Sequence, residues 1–234
     1  MATKAVIFDM DGVLFDTEGF YYRRREIFLN DKGISIKHIP PAFFIGGNMK
    51  QVWQKILEDD YANWDVEQLR KDYTNYKSKH PLPYQNLIFP DVKVILEKLV
   101  RHQFKIALAS SSTKSDILLA LNKTGIYDYF DLVLSGEEFP ESKPHPAIYN
   151  EAAYQLGFPK SELLIIEDSE KGIAAGVSAG IEVWAIKDRT FGLNQRAASR
   201  LFSNLTEVVD FLLNKKRKKK LFLFLRTPYF YDKM

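Results

Sequence analysis

Five short apolar runs, each closing on a polar residue and set apart by helix-length segments, constrain this chain more than any other feature. They lie at 4–8, 104–109, 131–134, 163–166 and 181–186. Runs of this length without polar alternation suit strands covered on both faces. Between and around them the spacing predicts helices over 92–101, 115–123, 147–156 and 170–179, with Gly125, Gly157 and Gly180 just past three of the ends. Strand alternating with helix implies an α/β fold, a Rossmann-like parallel sheet flanked by helices. With 46% of 234 residues hydrophobic, the chain has enough apolar surface for such a core.

One stretch breaks the alternation. From 17 to 79 no strand is legible, while Tyr21, Tyr22, Ile27, Phe28, Val52, Ile56, Leu57, Leu69 and Tyr73 recur at helical intervals. A small all-helical domain inserted after the first strand is expected at 17–83. Prolines mark its return at Pro81, Pro83 and Pro90. The core then comprises 1–16 and 84–213. From 214 the pattern changes to a basic and apolar tail holding eight Lys/Arg and one Asp; the net charge of +3 comes from that tail, and the body is mildly acidic. A nucleic-acid-binding body is therefore not expected. The tail itself reads as a solvated end, ahead of an anionic-surface patch or a nucleic-acid patch. No uninterrupted apolar run exceeds five residues, so no membrane span is expected, and the N-terminus does not read as a signal peptide. A monomeric cytoplasmic enzyme is the expectation. The absence of cysteine excludes disulfides, thiolate metal sites and Cys nucleophiles, and four scattered His make an imidazole zinc site improbable.

In an open parallel sheet the binding crevice forms beyond the carboxyl ends of the strands. The first run is followed by Asp9-Met10-Asp11-Gly12, the second by Ser110-Ser111-Ser112-Thr113 and the fourth by Glu167-Asp168-Ser169; the loop after the third reaches Lys143-Pro144. Each has an ordinary explanation when taken singly. Asp-x-Asp-Gly suits a turn, Ser112, Thr113, Asp168 or Ser169 suits a helix cap, and a lone lysine suits the surface. Together on one rim they suit phosphoryl transfer. Clustered carboxylates need a cation, oxygen donors select Mg2+, a lysine offsets phosphate charge and a hydroxyl donates to it.

Asp9-Met-Asp11-Gly-Val-Leu-Phe-Asp16-Thr17, Ser110, Lys143-Pro144 and Glu167-Asp168-Ser169-x-x-Gly172 together resemble the four motifs of the haloacid dehalogenase superfamily, over about residues 3–212. The helical insert is similar to the small cap of its β-phosphoglucomutase-like and phosphoglycolate-phosphatase-like branch. The resemblance implies that Asp9 is a nucleophile forming an aspartyl-phosphate. Asp9, the Asp11 main-chain carbonyl and Asp168 would bind Mg2+, with Glu167 supporting its water shell. Asp11 would act as acid and base, and Ser110 and Lys143 would hold the phosphoryl group. Thr17, Glu18, Tyr21, Gly46, Gly47, Lys50, Trp53, Ser111 and Lys114 are candidates to face the substrate, although Tyr21 and Trp53 suit cap packing equally. The sugar mutases of that branch carry a cap His at the place of Tyr21, a cap Arg near Lys50 and an Asn at the place of Lys114. Hydrolysis of a small phosphorylated metabolite such as a sugar phosphate is therefore expected. The alternatives are β-phosphoglucomutase-like isomerisation and a non-catalytic phospholigand-binding module.

Overall fold

A computed structural model of the chain describes residues 2–47 and 49–226; for 49–51, 59 and 216–226 it describes the backbone alone. The five apolar runs become β1 (Ala5–Phe8), β2 (Lys105–Ser110), β3 (Leu132–Ser135), β4 (Leu163–Glu167) and β5 (Glu182–Ile186). A sixth strand, β6 (Arg200–Phe202), extends one edge. All pair in parallel, in the order β3-β2-β1-β4-β5-β6. The sequence does not announce β6, because its three residues form no apolar run. They gain their place by register, with Trp184 opposite Arg200 and Ile186 opposite Phe202.

Helices cover both faces, and the strand residues alternate between them. Val6 and Phe8 of β1 join a core with α5 (Val92–Arg101), α6 (Lys114–Thr124) and α9 (Leu205–Arg226). Ala5 and Ile7 join the opposite core with α7 (Ala147–Leu156) and α8 (Glu170–Ser178). This is the period-2 geometry of a strand, and it accounts for the unbroken apolar run: both faces of β1 are buried. Burying one such Leu or Ile side chain contributes about 1.5–3 kcal/mol. α6 and α7 end at Gly125 and Gly157 as their spacing requires. α9 runs through position 214 to Arg226, so the backbone stays helical where the sequence pattern changes. The remaining residues of the expected tail, 227–234, lie outside the described residues. No helix among the described residues is long and apolar enough to cross a membrane.

The segment after β1 holds α1 (Glu18–Asn30), α2 (Met49–Leu57), α3 (Val66–Lys79) and the short α4 (Tyr84–Leu87), with no strand. Phe28, Leu29, Ile36, Phe44, Trp53, Ile56, Leu69 and Tyr73 form a third apolar cluster of their own. Its outgoing and returning chains run side by side: Asp16 N–H donates to Leu87 O at 2.8 Å, and Phe89 N–H donates to Leu14 O at 3.0 Å.

Candidate active site

β1 stands at the centre of the sheet, where the strand order reverses, so the residue after it enters the crevice between the ends of β2 and β4. That residue is Asp9. The register aligns Phe8 with Leu108 and Ile166, which brings Ser110 and Glu167-Asp168 up on either side of it. From the loop between β3 and α7, Lys143 reaches in, almost wholly buried. Its ammonium donates to Asp9 Oδ1 at 2.6 Å, Glu167 Oε1 at 2.7 Å and Ala109 O at 3.0 Å. It also lies 4.9 Å from the centre of the Tyr149 ring.

Glu167 receives donors on both oxygens. Oε1 accepts from Lys143 and from the Tyr149 hydroxyl at 2.8 Å. Oε2 accepts from the Asp168 and Ser169 N–H groups and the Ser169 hydroxyl, each at 3.0 Å. Burial works against its charge, but Lys143, Tyr149 and Ser169 outweigh burial and hold the carboxyl below its ordinary value. Asp9 shares the same ammonium without that set of donors. Burial, opposed by Lys143 and reinforced by Glu167 and Asp11, pushes it up to about 8. Burial and then Glu167, Asp9 and Glu18 push Asp168 well above its ordinary value. On Lys143, burial lowers the pKa, but Asp9 and Glu167 raise it further, so the ammonium stays charged.

Asp9, Glu167 and Asp168 each offer a carboxylate oxygen within 4.8 Å of the others. Asp168 Oδ1 is buried with no hydrogen-bond partner. An orphaned buried carboxylate oxygen beside two further carboxylates fits a hard divalent cation. Asp11 has its side chain elsewhere: Oδ1 accepts from the Thr17 hydroxyl at 2.6 Å and Oδ2 from the Ser112 hydroxyl at 2.8 Å. Burial still raises its pKa, although Thr17, Ser112 and Tyr21 oppose the rise.

Two glycines let these acids approach. At Gly12, whose φ is +79°, a Cβ would lie 2.0 Å from Asp168 Oδ2. At Gly172, in the first turn of α8, a Cβ would lie 1.6 Å from Glu167 Oε1. Gly172→Ala is therefore expected to evict the Glu167 carboxylate from its donors and to destabilise the chain by about 1–3 kcal/mol, read as a lowered urea midpoint at unchanged slope. An unchanged midpoint would refute this packing.

A cavity of about 770 Å³ opens above the rim, between the sheet and α1–α3. Asp9, Asp11 and Asp168 line its floor, and of the expected substrate-facing residues Glu18, Tyr21, Gly46, Gly47, Trp53 and Ser111 line it too. Ser111 Oγ donates to Gly46 O at 3.2 Å, tying the rim to the helical segment. Thr17 is fully buried beneath, its hydroxyl committed to Asp11. Ser110 is also fully buried, and its hydroxyl accepts the Ser112 N–H at 3.0 Å. Lys114 is not brought to the cavity: its ammonium donates to Val133 O at 2.7 Å and approaches Glu138 at 3.4 Å, acceptors that the β3 end supplies nearby. The Lys50 side chain lies outside the described residues.

Two residues that sequence reasoning missed support the acids. Tyr149 is fully buried against Glu167 and Lys143. Gln195 donates to Asp168 O and to Ile186 O and accepts the Asp188 N–H, so it fixes the Asp168 main chain to β5. The one available signal for Tyr149 is a hydroxyl on an otherwise apolar helix face; Gln195 sits in a loop and has none.

Comparison with known proteins agrees with this geometry. The sequence model of the haloacid dehalogenase-like hydrolases matches residues 6–186. A phosphoglycolate phosphatase of Aquifex aeolicus is 31% identical over 182 residues, 76% of this chain and 81% of the relative. A phosphorylated carbohydrates phosphatase of Thermotoga maritima is 29% identical over 181 residues, 76% and 82% of the two chains. In fold, β-phosphoglucomutase of Clostridium difficile superposes with a TM-score of 0.80 at 24% identity, covering 94% of this chain and 99% of that one. The chain therefore belongs to the haloacid dehalogenase-like hydrolase family, as an enzyme of the phosphatase or phosphomutase kind.

Proposed function

We propose that this enzyme hydrolyses a small phosphorylated metabolite, such as a sugar phosphate, through an aspartyl-phosphate on Asp9 in the presence of Mg2+. The observation that carries the reading is the seat of Asp9, a buried carboxylate at the crevice floor held at 2.6 Å by Lys143 and grouped with Glu167 and Asp168. Asp9 attacks phosphorus: its oxygen–phosphorus bond forms as the ester bond breaks. Asp11, whose pKa burial raises, gives its proton to the leaving alkoxide. Asp11 then takes a proton from the water that opens the acyl phosphate, releasing phosphate and free Asp9. Lys143 offsets charge on the transferring group, with the Ser110 turn beside it. Asp9, Asp168 and the Asp11 main-chain carbonyl, with Glu167 behind them, would hold Mg2+, which would supply charge stabilisation for the phosphoryl oxygens.

Residues 17–83 serve in this reading as a cap that closes on the substrate about the paired crossings at 16 and 87–89. Tyr21 favours hydrolysis over isomerisation. Burial above all pushes its phenol well above 10, so near neutrality it is a hydrogen-bonding group and not the proton carrier that passing phosphate to a second sugar hydroxyl calls for. A phosphate-release panel of sugar phosphates and p-nitrophenyl phosphate with Mg2+ is expected to show turnover, and Asp9→Asn is expected to abolish it. No release from any ester would overturn the proposal; interconversion of β-glucose 1-phosphate and glucose 6-phosphate without release would establish the mutase instead.

A further inference from the structure

The ladder between β4 and β5 stops at the pair Glu167 and Ala185. One step further along the same register stand Asp168 and Ile186, and there a side chain replaces the ladder. Gln195, buried in the loop between β5 and β6, donates from Nε2 to Asp168 O and, at 2.7 Å, to Ile186 O. Its Oε1 accepts the Asp188 N–H at 2.9 Å. A glutamine amide has two N–H donors, and both are spent on these two carbonyls.

The loop that carries Gln195 is itself braced. Asp188 Oδ1 accepts the Thr190 and Phe191 N–H groups at 2.9 and 3.0 Å, and Oδ2 accepts the Leu193 N–H at 2.7 Å. Residues 188–193 thus close on one carboxylate, and Gln195 reaches toward β4 from a fixed base.

What it reaches is the acid with the least support. The Asp168 N–H donates to Glu167 Oε2 at 3.0 Å, so with Gln195 on its carbonyl both main-chain polar groups of Asp168 are committed. Its side chain is the opposite case. Oδ1 is buried without a partner, and Oδ2 lies so near Gly12 that a Cβ there would come within 2.0 Å. A buried carboxylate oxygen with no donor is costly, and on an unrestrained backbone it turns toward the nearest N–H or O–H. Clamping the peptide on both sides denies it that turn. Holding a bare carboxylate oxygen against its own preference is what a cation ligand needs.

We infer that Gln195 is a positioning residue: through the Asp168 main chain it aims the Asp168 carboxylate at the divalent cation. The inference rests on the phosphatase reading above, in which Asp168 is a ligand of that cation. It gives the β5–β6 loop, which supplies none of the catalytic groups, a part in the chemistry.

Mn2+ binding to the metal-stripped full chain tests it without turnover, since Mn2+ favours the same oxygen donors as Mg2+ and the free ion is counted by its EPR signal. Gln195→Met keeps the length of the side chain and removes all three hydrogen bonds; its Kd for Mn2+ is expected to rise about 10–100-fold. Gln195→Asn keeps the amide one methylene short of the two carbonyls, and a smaller rise, about several-fold, is expected. Asp131→Ala is the control for destabilisation alone: it removes the acceptor of the Ile106 N–H, at the end of β2 opposite the catalytic rim. Its melting temperature is expected to fall while its Kd stays that of the parent. A Kd within twofold of the parent in whichever Gln195 variant remains folded would overturn the inference, and so would an equal rise in Asp131→Ala. No Mn2+ binding by the parent would instead remove the metal site of the phosphatase reading, and the inference with it.

Discussion

Lys143→Met is expected to cost the fold about 3–5 kcal/mol, the penalty of removing one partner from a buried ionic cluster. The ammonium is 2% exposed and serves Asp9, Glu167 and Ala109 O at once. Methionine keeps the aliphatic stem and its packing against Tyr149 but leaves two buried carboxylates facing each other near a third, Asp168, whose Oδ1 already lacks a donor. Near neutrality they must either take up protons or draw in water. For a chain of this size the loss corresponds to a melting temperature lower by roughly 6–20 °C. Turnover is expected to fall by a further 10²–10³-fold or so among the molecules still folded, since a preorganised positive charge beside the phosphoryl group is lost. Lys143→Arg is not expected to rescue either property: the wider planar fork brings five donors to a buried seat with three acceptors. Thermal melting and phosphate release on the same samples check both parts. A melting temperature within a degree or two of the parent would show that the cluster is not held together by this charge.

That cluster also shows how far the sequence could be read. Asp9, Asp11, Ser110, Lys143, Glu167 and Asp168 were legible because a parallel sheet converts position at a strand end into position at a crevice, and each stands at or just beyond such an end or in the loop that follows it. The core strands were legible because burial on both faces removes polar residues from them. β6 was not, since an edge strand of three residues with two exposed leaves no such signature. Tyr149 and Gln195 were hidden for another reason: their roles come from contacts 18 and 27 residues away in sequence, and nothing local distinguishes a bonded Tyr or Gln from a solvated one. Lys114 shows the reverse, a residue placed beside the serine motif whose flexible stem carries its charge to acceptors outside the cavity.

The same carboxylates make the stability of the metal-free chain fall as pH rises, and the sign follows from their direction of shift. Asp9 goes from an ordinary 3.8 to about 8, Glu18 from 4.5 to about 8, and Asp168 well above 3.8, each led by burial. A carboxyl raised on folding binds its proton more tightly in the native state, so between about pH 4.5 and 8 the native chain holds protons that the unfolded chain has released, and stability declines across that window. The carboxyls lowered on folding, Glu167 and Asp188 among them, are ionised in both states over all but the acid end of that window and add little slope. Glu18 is only half-buried at the cavity wall, so Asp9 and Asp168 dominate. With solvent relaxation allowed for, about 2–4 kcal/mol is expected to be lost between pH 5 and 8 in EDTA, a drop of roughly 5–15 °C in melting temperature. A divalent cation competes with these same protons, so millimolar Mg2+ is expected to raise the melting temperature far more at the alkaline end than at the acid end. Asp9→Asn removes one titrating group and is expected to flatten the EDTA profile while weakening the Mg2+ effect. Melting curves across that range, with EDTA and with Mg2+, contain the test. A metal-free profile that is flat or rises with pH, or a Mg2+ shift of equal size at both ends, would mean that the three acids do not share a proton-or-cation site.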